Sequence, residues 1–150
     1  MYKNILLPHD GSELSEEAAD YAIALARSVG AKLTVMHVVA HRNLVLDEGV
    51  SSKLVQKLES DYENLAKKNA EGLLAKVAGR AKAGGVECSG VVLIGDSPYR
   101  EIIDKASELG CDLVVMASHG RRGLEGLLLG SETVKLLTHS RIPVLVVRHE

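Results

Sequence analysis

The stretch from Asp112 to Val147, DLVVMASHGRRGLEGLLLGSETVKLLTHSRIPVLVV, decides the fold. It opens with Leu113 to Ala117, an unbroken apolar run of the kind that forms a strand buried on both faces. A loop follows with glycines at 120, 123, 126 and 130, and Ser131 then leads into a helical pattern marked by Val134 and Leu137. A strand that empties into a glycine-rich loop and then into a helix N-terminus makes an anion cradle. Unpaired N–H groups and the positive end of the helix dipole both face such a loop. Pro143 to Val147 ends the stretch as another apolar strand.

The stretch therefore reads as a phosphate site. Gly120 and Gly130 have no Cβ, which permits positive φ and close approach of backbone to ligand. Ser131 suits the N-cap position, where its hydroxyl can bond a first-turn amide or a phosphate oxygen. Arg121 and Arg122 offer guanidinium groups to phosphates. The plainer alternative is a mobile surface loop followed by a capped helix. Two familiar phosphate loops are excluded. Leu129-Gly130-Ser131 lacks the lysine of a P-loop. The first strand runs into Pro8-His9-Asp10-Gly11-Ser12 instead of a G-x-G-x-x-G turn.

Working outward, Ile5 to Leu7 is a short apolar run stopped by Pro8, suited to a central strand. A helix is expected from Glu13 to Val29, with Ser12 as cap, Gly30 as stop, and alanines at 18, 19, 22, 24 and 26 packing on a sheet. Leu33 to Val39 is the second strand. Residues 40 to 52 carry no firm period and read as a linker or a cover over a ligand. From Lys53 to about Lys82 runs a long helix marked by Leu54, Leu58, Tyr62, Leu65, Leu73 and Val77, with a bend possible at Gly72 or Gly79. Val86 to Ile94 is the third strand. Ser97-Pro98 then starts a helix that ends at Gly110.

Strand and helix in alternation predict a single-domain α/β fold, a parallel sheet with helices on both faces. Ligands of such sheets bind at the carboxyl ends of strands. The first strand delivers His9 and Asp10 there, the second His37 and Val38, and the fourth His119 and Gly120. Pro143 has no N–H to donate, so the last strand should be an edge, yet Val144 to Val147 is too apolar to face water and calls for a cover. A metal or acid–base set of His9, Asp10, His37 and His119 is the rival reading, but no pair has local ligand spacing.

The bulk numbers set limits. The chain has 150 residues, the size of one domain, with 18 basic and 20 acidic residues for a net charge of −2. That balance argues against nucleic-acid or membrane-surface binding. Cys88 and Cys111 match no metal-ligand spacing and read as reduced core residues. The apolar stretch of Met1 to Pro8 is too short for a signal peptide, and no run approaches the roughly 18 residues of a membrane span. A cytoplasmic location is the expectation.

The motifs resemble those of the universal stress protein family, in its ATP-binding subgroup. That family's signature is Gly-x-x-Gly, nine residues, then Gly-Ser/Thr. Gly120 matches its second glycine and Gly130-Ser131 its end. Leu-Leu-Pro-His-Asp-Gly-Ser at 6 to 12 resembles the N-terminal motif, with Asp10 at the family's aspartate, and His37-Val38 also matches. The resemblance covers essentially the whole chain. One departure is Ala117, where the signature has its first glycine; the added methyl bears on the approach to the phosphates.

The resemblance implies a Rossmann-like sheet, as in adenine nucleotide alpha hydrolases, of five parallel strands in the order 3-2-1-4-5. It implies ATP, ADP or AMP as ligand, with Mg or Mn carried by the nucleotide, and a homodimer joined through Pro143 to Val147. Asp10 would meet adenine, and Val38 would touch base or ribose through its backbone. The candidate binding set is Pro8, Asp10, Val38, Ala117, His119, Gly120, Arg121, Arg122, Gly123, Gly130, Ser131, Glu132 and Thr133; Gly95 and Pro98 border the same crevice. No dedicated lysine, metal-binding aspartate pair or acceptor pocket is apparent, so the chain reads as a nucleotide-binding stress regulator or sensor. A slow ATP hydrolase or phosphotransferase, and a scaffold that binds no nucleotide, are the alternatives.

Overall fold

The computed structural model describes residues 1–120 and 129–148. The elements are β1 (Asn4–Pro8), α1 (Glu13–Val29), β2 (Lys32–Val39), α2 (Ser52–Ala83), β3 (Cys88–Ile94), α3 (Pro98–Glu108), β4 (Leu113–Ala117), α4 (Ser131–His139) and β5 (Val144–Val147). The five strands form one parallel sheet in the order β3-β2-β1-β4-β5. β1 lies at its centre because its apolar residues are buried on both sides: Ile5, Leu6 and Leu7 have no exposed surface.

Alternation along the strands divides the core in two. Ile5 and Leu7 of β1 and Val115 of β4 face α1 and α2, whereas Leu6 and Val114 face α3 and α4. Ser12 caps α1 by accepting the Ser15 N–H at 3.2 Å, and Gly30 ends it in the left-handed region at φ 71°. Ala18, Ala19, Ala22 and Ala26 bring α1 onto the sheet, all without exposed surface; Ala24 faces outward instead.

Two expectations change, both on helix faces. α2, the long helix the sequence predicts, runs for 32 residues through Gly72 and Gly79. Its sheet contact is made by Ala70, Leu74, Val77, Ala78 and Ala81, while Leu54, Leu58, Tyr62 and Leu65 stand exposed. In α4 the buried residues are Thr133 and Leu136, and Val134 and Leu137 face outward. The first half of the expected α2 stripe thus lies off the packed face while Val77 lies on it, and in α4 both expected residues lie off it. Segment 40–51 is drawn along α2: the Glu59 carboxylate accepts the Leu44 N–H at 2.8 Å, and the Arg42 guanidinium lies 4.7 Å from the Tyr62 ring centre.

Cys88 and Cys111 are free and buried. Burial pushes both thiols up, that of Cys111 to about 11 with Asp112 adding to the effect, so they are protonated and unreactive at neutral pH. Among the described residues no helix is long and apolar enough to cross a membrane.

Candidate functional site

The carboxyl ends of β1 and β4 lie side by side at the centre of the sheet, where the winding reverses direction. β1 ends at Pro8, and the chain turns through Asp10, Gly11 and Ser12 into α1. Gly11 takes φ 82°, a left-handed conformation that favours glycine. The Asp10 carboxylate is held by its own turn. Oδ1 accepts the Ser12 N–H at 3.0 Å and the Ser15 hydroxyl at 2.7 Å. Ser15, 3% exposed, was given no role by the sequence; its place one turn into α1, facing back over the Asx-turn, is what brings it to Asp10.

Asp10 lies against the start of the glycine loop. A Cβ on Gly120 would overlap Oδ2 of Asp10, so glycine is required there for space. Gly130 is also a matter of space: its φ is −73°, and a Cβ would come within 3.2 Å of His119 Cα and 3.4 Å of the Ser118 carbonyl. The positive φ anticipated for these two glycines is absent; crowding replaces it, by the Asp10 carboxylate at Gly120 and by the Ser118–His119 backbone at Gly130. The Gly130 N–H donates to Ser118 O at 2.6 Å, closing the base of the loop.

The N-cap of α4 is Gly130, and Ser131 is the first helical residue, exposed. This shift from the anticipated Ser131 cap follows from the bond between Gly130 and Ser118, which fixes Gly130 in an extended conformation as the last residue before the helix. Thr133 is buried, and its hydroxyl proton is shared between the carbonyls of Ala117 and Ser118 at 3.2 and 3.1 Å, which ties α4 to the end of β4. Glu132 turns toward α3: its Oε2 accepts the Tyr99 N–H at 2.9 Å, capping that helix where Ser97 makes no side-chain cap bond. Ala117 is buried in β4 and paired with Val147; His119 is half-buried beside Gly130.

Val38 is half-buried on β2 beside Leu93 of β3, and its neighbour His37 reaches back to donate from Nδ1 to the His9 carbonyl at 2.6 Å. Pro8 is half-buried, paired with Met36. Gly95 bonds the Val39 carbonyl through its N–H at 2.9 Å, and a Cβ there would strike Glu101. Arg121, Arg122 and Gly123 lie outside the described residues. The structure therefore brings Asp10, His119, Gly120, Gly130 and Ser131 around the β1–β4 junction, and gives Glu132 and Thr133 partners within the fold. Among the described residues no group of three or more His, Cys, Asp and Glu could hold a metal ion.

Known proteins are similar to this chain over nearly their whole length. The universal stress protein MJ0577 of Methanocaldococcus jannaschii is 29% identical over 158 residues, covering 100% of this chain and 97% of that protein. Its solved structure superposes with a TM-score of 0.86, covering 100% of this chain and 98% of that one. The universal stress protein YxiE of Bacillus subtilis is 32% identical, covering 99% of this chain and 100% of the relative. A universal stress protein crystallised in complex with cAMP has a TM-score of 0.68 at 26% identity, with 97% of each chain covered. The family model described as the universal stress protein family matches residues 1–148, and the chain belongs to that family.

Proposed function

We propose that this protein binds an adenine nucleotide, ATP, ADP or AMP, at the β1–β4 junction and acts as a dimeric stress-response sensor. The observation that carries the reading is the contact between Asp10 and Gly120: two motifs far apart in sequence meet with no room for a Cβ between them. An acceptor-only carboxylate suits the amino group of adenine, and the N-terminus of α4 behind Gly130 suits phosphate. The cAMP complex of a relative supports the same ligand class. The residues present fit a nucleotide whose phosphates carry Mg or Mn, since such an ion takes most of its ligands from phosphate and water. Holding the nucleotide, with at most slow cleavage, requires no further group.

Calorimetric titration with ATP and magnesium tests this, with GTP as control. Saturable heat is expected for the native chain and its loss for Gly130→Val, whose side chain would press on the His119 backbone. No heat and no co-purifying nucleotide would overturn the reading.

The dimer reading rests on β5. This edge strand carries Leu145, 37% exposed, which lines an open apolar hollow with Tyr21, Ala24, Leu25 and Val115. Pairing with β5 of a second copy would cover both the strand edge and the hollow. Sedimentation should give the mass of two chains, and Leu145→Asp should give one.

A further inference from the structure

His9 is 2% exposed although it stands at the mouth of the sheet, one residue before Asp10. Its main chain is fixed on both sides. Its N–H donates to Met36 O at 2.8 Å, and its carbonyl accepts from His37 Nδ1 at 2.6 Å. Its ring is engaged as well. The Gly11 N–H donates to Nδ1 at 3.0 Å, which requires a bare Nδ1 and puts the single ring proton on Nε2. Nε2, which carries that proton, lies 3.1 Å from Glu16 Oε1. Glu16 in turn accepts from Arg80 of α2 at 2.6 Å, and Arg80 lies 3.3 Å from Asp20.

We propose that His9 is a positioning residue of the ligand crevice: its neutral imidazole is the template on which the Asp10–Ser12 turn is folded, so the aim of Asp10 depends on the protonation of His9. The ligand-binding consequence rests on the nucleotide reading; the template itself does not. A proton on Nδ1 would set it donor to donor against the Gly11 N–H, and the turn would lose its inner support. Ser12 and Ser15 of the same turn are engaged with Asp10 and with each other.

The charged and titratable groups facing His9 come from four elements. Burial dominates and favours the neutral ring; Glu16 of α1 and Asp10 of the turn oppose it; His37 of β2 adds to it; Arg80 of α2 acts through Glu16. The net result holds the ring below its ordinary value of 6.5. The folded chain then binds this proton more weakly than the unfolded chain. The stabilising contribution is complete above about 6.5 and is lost as pH falls through the lower folded-state value.

The test uses the full-length, isotope-labelled protein. Without ligand, the Gly11 amide resonance should move together with the His9 ring on acidification, with a midpoint below 6.5. Asparagine can offer Oδ1 to the same N–H as an Asx-turn, so His9→Asn should keep the turn and lose the titration. At neutral pH His9→Asn should bind ATP within about threefold of the native chain, and His9→Leu about tenfold or more weakly, the loss of one buried bond. The titration of the ATP phosphates is common to native and Asn proteins and cancels between them. A Gly11 resonance indifferent to His9, or Asn and Leu variants that bind alike, would overturn the proposal. If native protein binds no ATP, the nucleotide reading falls and the Gly11 resonance still decides the role of His9.

Discussion

Gly120→Ala is expected to weaken nucleotide binding by roughly ten- to hundredfold while leaving the melting temperature nearly unchanged. The added Cβ overlaps the Asp10 carboxylate, and one of the two must leave. Gly120 is exposed at the start of the loop, so the fold loses little by its displacement. Asp10, by contrast, is anchored through Oδ1 by Ser12 and Ser15, and moving it breaks both bonds. A hydrogen bond to a charged group contributes about 1.5–3 kcal/mol, which converts to the stated range in Kd. Calorimetry measures the affinity, and a thermal melt on the same samples separates binding from folding. Unaltered affinity would mean that ligand binding does not depend on the close packing of Gly120 against Asp10.

Leu6→Ala should cost about 2–5 kcal/mol, a large part of the 5–15 kcal/mol typical of a domain. Leu6 has no exposed surface, lies on the central strand, and packs in the cluster with Ile102, Ala106 and Leu136 of α3 and α4. Neighbours on both sides are strand-bound, so the cavity has little means of collapse. Urea unfolding would show a lower midpoint at an unchanged slope. Leu137→Ala is the contrasting case. Leu137 is 43% exposed on the outer face of α4, and its removal should change stability by no more than about 0.5 kcal/mol.

That pair also shows where the sequence was readable. Every strand and helix was legible in its order, because apolar runs such as Leu113–Ala117 and stops such as Gly30 are local signals. Strand order followed from the family resemblance, since periodicity carries no information on which strands pair. The packed faces of α2 and α4 were misread for one reason. The expected markers were all large residues, whereas the packed faces mix small ones, Ala70, Ala78, Ala81 and Thr133, with Leu74, Val77 and Leu136. At the site, strand ends announced the meeting of Asp10 with Gly120. The bonds of Ser15 and His9 were not legible, because they depend on how tightly the β1–α1 turn curls. Ser131 was favoured as cap by residue preference, and the backbone bond of Gly130 to Ser118 decided otherwise.

The place of β1 between β2 and β4 has a consequence for synthesis. One neighbour follows it within one helix, but the other arrives much later: the bond from the Asn4 N–H to Asp112 spans 108 residues. A ribosome adds about 5–20 residues each second, so the nascent chain waits roughly 5 to 20 seconds with its central strand open along one edge. During that interval the emerging half offers an unpaired strand to any other chain nearby. That edge closes when β4 has left the tunnel, and the glycine loop, α4 and β5 follow it. The segment that completes the crevice is therefore also the one that completes the fold, and a nascent chain has no ligand site before it has a finished core.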